Sequence, residues 1–299
     1  MPETAIGAPP QDRSPVSLTG HYTGEVWVRH NLSPRSLSTV TGRSLYRALW
    51  PLERSAARLL GVSLEASLVQ RHRLLDQLVQ QAIAEQPDLQ VLEMAAGASA
   101  RAGRMLGQFP QHHSLCYTEA DLPAVVAHKR SLLPSLGLED DRRYRLMPVN
   151  IRRTEGPLSP ESLLSQFDGT RPVLVITEGL LNYFPLATVQ DFMARLAQAL
   201  QGFPRGRYLA ELWPRLPDYP GIRARQGMLK LIEAVTRQTV PLHFRDDDDI
   251  ARAMATAGFT RTKVLNPDSV EFLQPVPLMR APALFRVLDG RVDGPRGLR

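Results

Sequence analysis

The chain has one cysteine, no long apolar run and few aromatic residues. Cys116 is the only cysteine among 299 residues, so neither a disulfide framework nor a cysteine-based zinc site can form within one chain. We expect no membrane-spanning helix, because no stretch of about 18 apolar residues occurs. Residues 1–20 are polar and proline-rich, and their pattern is not that of a signal peptide. These absences predict a cytoplasmic location and a buried, inert Cys116 thiol.

Basic charge is not gathered in runs, although the formal net charge is +6. The arginines are spread along the chain, and no zinc-finger spacing or aromatic-basic RNA motif accompanies them. We therefore expect no nucleic-acid and no membrane partner. A hydrophobic content of 43% and a charged content of 22% are typical of a globular protein with one large α/β domain. A monomer and a homodimer both remain open.

The first third of the sequence predicts helices. Residues 1–20 predict a disordered tail, and leucines at helical spacing predict helices over 41–60 and 64–85. Residues 21–88 would then form an N-terminal helical cap. Tyr22 and Trp27 lie in a mixed aromatic and polar stretch, which fits a substrate-binding surface and an amphipathic capping segment equally well.

From residue 90 onward, short apolar stretches alternate with helical ones. The predicted strands are 90–94, 114–120, 144–148, 172–177, 207–212, 263–265 and 283–288, and the predicted helices include 101–106, 186–200, 228–235 and 246–257. This alternation predicts an α/β fold, a Rossmann-like doubly wound and mainly parallel sheet of seven strands. A proline-rich stretch near 213–245 predicts a lid.

Small or polar residues follow four of these strands. Ala95–Gly97 form a turn of small residues, and Asp121, Asn150 and Glu178 follow the next three strands. Parallel sheets bind ligands beyond the carboxyl ends of their strands, so we expect these positions to converge. A turn of small residues with an acidic residue about 20 positions later is typical of nucleotide-type cofactor sites. The small residues by themselves would also fit an ordinary connection between a strand and a helix.

Four motifs in residues 65–200 resemble a known family. The motifs are VLEMAAG (91–97), YTEADLP (117–123) with a following lysine and leucine, VITEGLLNYF (175–184), and the pair Arg71 and Asp76, which lie five residues apart. Each is similar to a motif of the leucine carboxyl methyltransferase family. These are class I enzymes that depend on S-adenosylmethionine (SAM), and they include bacterial O-methyltransferases of polyketide biosynthesis. The resemblance covers little of the first 60 residues, and the last third matches only in pattern.

The resemblance implies a role for individual residues. Arg71 would pair with the SAM carboxylate, Asp121 with the ribose hydroxyls, and Glu178 would lie near the methionyl amino group, with Tyr183 near the acceptor. The full set of implied cofactor contacts is Arg71, Glu93, Ala95, Gly97, Asp121, Leu122, Asn150, Ile151 and Glu178. Tyr22, Trp27, Arg29 and Tyr183 are the predicted substrate contacts.

The chain departs from the family pattern near the turn. Ala95 stands where the family has glycine, which requires the turn to keep a negative φ. Ser99-Ala100 replace an Asp-Thr pair, and Asn150 replaces an aspartate. These changes leave open a SAM-fold protein that binds partners, or supports another reaction, without transferring a methyl group.

The resemblance implies an O-methyltransferase that acts on a carboxylate or hydroxyl of a small molecule in secondary metabolism. A protein C-terminal carboxylate is the alternative acceptor. A carboxylate needs no general base at neutral pH, whereas a phenol or alcohol does. Tyr183 and His243 are the predicted catalytic residues, with His21 and His30 as further candidate bases.

The acidic run Asp246–Asp249 could indicate a metal site. Consecutive acids more often complement the dipole of a helix first turn, so we predict that role and no metal.

Overall fold

The computed structural model describes residues 18–218, 226–227, 230, 233, 240–277 and 279–294. Within these residues no helix combines the length and the hydropathy of a membrane span. The predicted tail falls outside them except for residues 18–20, which begin a helix, so ordered structure starts earlier than the predicted residue 21. Most of the predicted helix 228–235 and much of the predicted lid also lie outside the described residues.

Seven strands of the described chain form one sheet. They are β1 Gln90–Met94, β2 Cys116–Asp121, β3 Tyr144–Pro148, β4 Val173–Thr177, β5 Gly206–Leu212, β6 Arg261–Leu265 and β7 Arg286–Val292. Their order is β3-β2-β1-β4-β5-β7-β6. The first five strands run parallel, and β7 is antiparallel to both of its neighbours. The predicted fold class, a mainly parallel doubly wound sheet, is confirmed.

Nine α-helices of the described residues surround this sheet and build the cap. They are α1 Leu18–Arg29, α2 Val40–Leu59, α3 Leu64–Glu85, α4 Arg101–Gln108, α5 Pro123–Arg130, α6 Leu133–Leu136, α7 Pro160–Leu164, α8 Leu186–Leu200 and α9 Asp247–Thr256. Helix α1 packs against α2 and α3, so the helices before β1 form one layer.

Several predicted element bounds are wrong by a few residues. The last strand is Arg286–Val292 and not 283–288, because residues 283–285 are buried without joining the sheet. Strand β2 begins at Cys116, two residues later than predicted. Cys116 is partly exposed, so its predicted full burial is wrong.

Apolar side chains cover both faces of the sheet. One hydrophobic cluster joins Val91 and Ile176 to residues of α3 and α4, including Leu75. The other joins Leu92 and Val175 to residues of α8 and α9. Every residue of β1 and β4 is buried, which explains why β4 is an almost continuous apolar run. Because both faces of the sheet are covered, a site can form at the ends of the strands.

Side chains from α2 and α3 cap the start of α3. Ser63 accepts a hydrogen bond from the Ala66 N–H, and Glu53 of α2 accepts from the N–H groups of Leu64 and Glu65. These bonds satisfy donors that an α-helix leaves unpaired at its N-terminus. Helix α2 is thereby fixed to the helix that runs into the first strand.

Candidate active site

One cavity of about 480 Å³ lies at the carboxyl ends of β1 to β5. We call it the strand-tip cavity. Its residues from the sheet side include Ala95, Ala96, Gly97, Asp121, Leu122, Asn150, Ile151, Glu178 and Glu211. The cap closes the opposite side with Thr19, Tyr22, Trp27, Leu68 and Arg71. The structure therefore brings Arg71, Gly97, Asp121 and Glu178 together at one site.

The turn after β1 contains two residues with positive φ. Ala95 has a φ of 57° and Gly97 a φ of 48°. The turn therefore does not keep the negative φ that would let an alanine replace glycine without strain. An alanine in this region places its Cβ close to the following carbonyl oxygen, which costs about 1–2 kcal/mol. The protein therefore keeps the glycine-type turn and stores strain at Ala95.

Asp121 holds the turn from the neighbouring strand. Its Oδ2 accepts from the Gly97 N–H at 2.8 Å, and its Oδ1 accepts from the Leu122 N–H at 2.7 Å. Burial raises the pKa of Asp121, and these two hydrogen bonds oppose that shift. Each oxygen retains a lone pair, so the carboxylate can accept two further bonds from a diol.

A buried lysine supports the other end of the turn. Lys129 of α5 donates to the Ser99 carbonyl at 2.7 Å and pairs with Glu119 at 2.6 Å. Glu119 also accepts from the Tyr144 hydroxyl at 2.6 Å. These contacts fix the loop between β1 and α4 against β2 and β3.

Arg71 joins two carboxylates at the tips of β4 and β5. Its Nε donates to Glu178 at 3.0 Å, and its Nη1 donates to Glu211 at 3.2 Å. The N–H of Gly179 donates to Glu211 at 2.7 Å, and the Trp213 indole donates to it at 3.1 Å. Glu178 and Glu211 thus share the guanidinium of Arg71.

Arg101 lies beneath the cavity and is fully buried. It donates to Asp76 at 2.7 Å, to Glu93 at 2.5 Å and to Glu178 at 2.5 Å. Burial alone would raise the pKa of Glu178, but His72 and the guanidinium groups of Arg101 and Arg71 hold it well below its usual range. Glu178 is therefore ionised throughout the neutral range.

His72 lies between Glu178 and two guanidinium groups. Its Nδ1 is 2.8 Å from Glu178 Oε2 and 2.9 Å from Arg101 Nη2, and its Nε2 is 2.8 Å from Arg104 Nη2. Burial lowers the pKa of His72 more than Glu178 and Asp76 raise it. The imidazole therefore orients Glu178 without adding charge.

The comparison with known proteins agrees with this geometry. The model of the leucine carboxyl methyltransferase family matches residues 32–197, more than half of the 299 residues. The chain belongs to this family. The family that the sequence motifs resembled is thus confirmed.

Curated relatives match part of the chain. A Mycolicibacterium gilvum (strain PYR-GCK) protein, provisionally named an S-adenosyl-L-methionine-dependent methyltransferase, is 34% identical over 136 residues, 46% of this chain and 41% of its own length. A protein of Mycobacterium bovis (strain BCG / Pasteur 1173P2) with the same provisional name is 29% identical over 187 residues, 60% of this chain and 55% of its own. The chain thus spans about half the length of the curated relatives it matches. The names of these relatives contain SAM, which is the cofactor that the sequence predicts.

A solved structure shares the fold. The crystal structure of a protein from Thermobifida fusca YX, provisionally named a methyltransferase, matches 97% of this chain and 100% of its own with a TM-score of 0.64. The sequence identity is 17%, so the likeness shows the common fold of the family.

Most of the predicted cofactor and substrate contacts line the strand-tip cavity. They are Arg71, Ala95, Gly97, Asp121, Leu122, Asn150, Ile151, Glu178, Tyr22, Trp27 and Tyr183. Tyr183 lies in a short 3-10 turn after β4. Burial raises the pKa of Tyr183, so it is a neutral phenol that can donate a hydrogen bond. This state argues against a role as general base.

Glu93, Arg29 and His243 are not among the residues that line the cavity. Glu93 is buried below it, where Arg101 and the Tyr117 hydroxyl bind its carboxylate. Arg29 turns away, because its Nε donates to Glu25 at 3.0 Å and its guanidinium lies 4.0 Å from the centre of the Tyr46 ring.

His243 is bonded to the backbone near the cavity. Its Nε2 donates to the carbonyl of Phe184, a cavity residue, at 2.6 Å. His21 and His30, the other candidate bases, contact Thr39 at 3.0 Å and Glu65 at 2.7 Å. All three therefore make contacts that support the backbone or the cap.

The sequence reasoning missed Glu211. This acid lies within predicted strand 207–212 and is 3% exposed, yet it lines the cavity. The strand-end rule was applied to four strands only, and its extension to β5 would have found this carboxylate.

The acidic run starts helix α9. The Asp246 side chain accepts from the Asp249 N–H at 2.9 Å, which is the helix-terminal role that the sequence predicted. Among the described residues, no group of three or more His, Cys, Asp or Glu is placed to hold a metal ion.

Proposed function

We propose that this protein binds SAM in the strand-tip cavity and transfers its methyl group to an oxygen of a small molecule. The observation that carries the proposal is the convergence of Arg71, Gly97, Asp121 and Glu178 on one cavity. Its volume of about 480 Å³ is within the usual range of small-molecule sites, roughly 300–1,000 Å³.

The charges at the two ends of the cavity fit the cofactor. Asp121 has lone pairs free for the ribose hydroxyls, and the ionised carboxylate of Glu178 suits an α-ammonium group. Both Nε and Nη1 of Arg71 already bind carboxylates, so a two-bond fork through those nitrogens would displace a glutamate. We therefore assign to Arg71 the role of holding Glu178 and Glu211 in place.

When bound, SAM supplies an electrophilic methyl group. The protein's own task is to align the acceptor oxygen and to exclude water. The turn at Gly97 and Asp121 fixes one end of the cofactor site, and Glu178, held by Arg71, His72 and Arg101, fixes the other. Helix α1 contributes Tyr22 and Trp27 to the wall of the cavity.

Calorimetry with S-adenosylhomocysteine tests the binding step. Asp121→Asn should weaken binding about 10- to 100-fold, because a hydrogen bond to a charged group contributes about 1.5–3 kcal/mol. Asp248→Ala is the matched control, since Asp248 is exposed in the first turn of α9. Equal affinity in both variants would reject the site.

Incubation with methyl-labelled SAM and a panel of hydroxyl and carboxylate acceptors tests the transfer step. We expect label in a small-molecule product. Tight cofactor binding without transfer to any acceptor would instead support a protein that uses the SAM fold for another purpose.

A further inference from the structure

The end of β5 is the part of the cavity that the predicted cofactor contacts do not occupy. The predicted cofactor contacts Gly97, Asp121, Asn150 and Glu178 follow β1 to β4. In the sheet order, β5 lies beyond β4, on the side away from the strands that carry Asp121 and Asn150. Glu211 lines the cavity at the end of β5. We call the part of the cavity around Glu211 the acceptor end.

Aromatic side chains line the cavity near Glu211. The Trp213 indole donates to Glu211 at 3.1 Å, and Tyr183 and Phe184 follow the neighbouring strand β4. Trp27 and Leu68 of the cap line the same cavity. Flat apolar walls of this kind favour an acceptor with an aromatic body, because such rings stack and bury a large apolar area.

Charge distinguishes between the possible acceptor oxygens. Among the described residues that line the cavity, the cations are Arg71 and Arg152. Arg152 is exposed and follows Ile151 at the β3 end of the cavity. Arg71 is already shared by Glu178 and Glu211. Glu178 is also paired with the buried Arg101, and the linked cluster has four carboxylates, Asp76, Glu93, Glu178 and Glu211, against three guanidinium groups, Arg71, Arg101 and Arg104. A carboxylate at the acceptor end would add to this excess of negative charge, and like charges in a buried site repel strongly.

We propose that the acceptor is a neutral aromatic hydroxyl compound, a phenol or benzylic alcohol, and that Glu211 recognises its hydroxyl group and rejects carboxylates. This inference rests on the proposed methyl transfer. Glu211 Oε2 accepts one bond, from the Gly179 N–H, and so has a lone pair for the hydroxyl. As the O–CH₃ bond forms and the S–CH₃ bond breaks, the sulfur keeps the electron pair and the hydroxyl proton passes to Glu211.

The test compares two probes with the same naphthalene ring, 2-naphthol and 2-naphthoate. Calorimetry measures their affinity for the S-adenosylhomocysteine-loaded protein and for the free protein at pH 7. We expect 2-naphthol to bind the wild type about tenfold tighter or more, because only the naphthoate places a charge beside Glu211. Equal affinity, a preference for naphthoate, or no binding of either probe would overturn the inference.

Glu211→Gln and Glu211→Asp separate recognition from folding. The Gln variant should lose the preference for 2-naphthol and gain affinity for 2-naphthoate, a gain that damage to the fold cannot produce. The Asp variant keeps the charge and should retain the preference. An unchanged probe ratio in a folded Gln variant would contradict the role of Glu211.

The two proposals fail separately. If S-adenosylhomocysteine does not bind, the proposed function fails. The ratio of the affinities of the free protein for 2-naphthol and 2-naphthoate then still tests the proposed role of Glu211. If it binds and naphthoate is preferred, only the acceptor inference fails.

Discussion

The guanidinium of Arg101 donates to Glu178 across 2.5 Å and is fully buried. Arg101 begins the helix after the β1 turn, and Glu178 follows β4. Their contact ties the two strands at which the sheet order reverses, β1 and β4. The carboxylate of Glu178, which lines the cavity, is thus held by the buried positive charge of Arg101.

Arg101→Met should destabilise the protein by about 3–5 kcal/mol, because Asp76, Glu93 and Glu178 would lose a shared buried partner. Urea unfolding measures the change. Arg261→Met is the control, since Arg261 and Asp293 form a pair with side chains 64% and 57% exposed, and its loss should cost less than about 1 kcal/mol. Similar losses in the two variants would show that the buried cluster is not stabilising.

His72 should make the protein less stable in mild acid. Its pKa in the folded state lies below the ordinary 6.5, so below pH 6.5 the unfolded chain binds a proton that the folded chain does not. The free energy of unfolding should then fall by about 1 kcal/mol per pH unit as the pH drops below 6.5. Glu178 adds to the loss only below its ordinary 4.5, because its folded pKa is lowered.

His72→Asn isolates this contribution. The variant keeps a donor toward Glu178, and its stability should vary less with pH than that of the wild type between 6.5 and 4.5. His113→Asn is the control, because His113 is exposed. The prediction fails if His72→Asn and the wild type lose stability in parallel over this range.

Ala95→Gly should stabilise the fold. The φ of 57° strains an alanine by about 1–2 kcal/mol, whereas the added chain entropy of glycine costs about 0.5–1 kcal/mol. We expect a net gain of about 0.5–1 kcal/mol in urea unfolding. The neighbouring Ala96→Gly relieves no such strain, since Ala96 is not among the described residues with positive φ, and it should destabilise. A loss of stability in both variants would contradict the strain at Ala95.

Gly179→Ala should weaken cofactor binding in addition to the backbone strain that it introduces. A Cβ at Gly179 would lie 2.9 Å from Arg71 Nη2, so the guanidinium would have to leave Glu178 or Glu211. Gly137→Ala is the matched control, because its φ of 66° is close to the 64° of Gly179 and nothing lies within 4 Å of its Cβ. Both should cost about 1 kcal/mol from strain, and Gly179→Ala alone should also weaken S-adenosylhomocysteine binding. Equal effects on binding would show that Arg71 has room to adjust.

Strong local patterns made much of the fold predictable. Strand β1, strand β3 and helices α3 and α8 have the bounds that the sequence predicts, because their apolar periodicity and their flanking turn residues are clear. The convergence of Gly97, Asp121 and Glu178 followed from the parallel sheet alone.

Pairing between distant side chains was not predictable. The exclusion of Glu93 from the cavity depends on Arg101 and Tyr117, and the orientation of Arg29 depends on Glu25 and Tyr46. These contacts depend on how the elements pack. The positive φ of Ala95 was likewise not predictable, because no local propensity of alanine favours it.

Helix α3 carries Arg71, His72 and Asp76, three members of the charge cluster beneath the cavity. A truncated form that begins at β1 would keep all seven strands and still leave Arg101, Glu178 and Glu211 without these partners. The predicted cap at 21–88 is therefore not a removable accessory. Any attempt to graft a different cap onto this sheet, in order to change the acceptor, has to retain α3 and exchange only the helices before it.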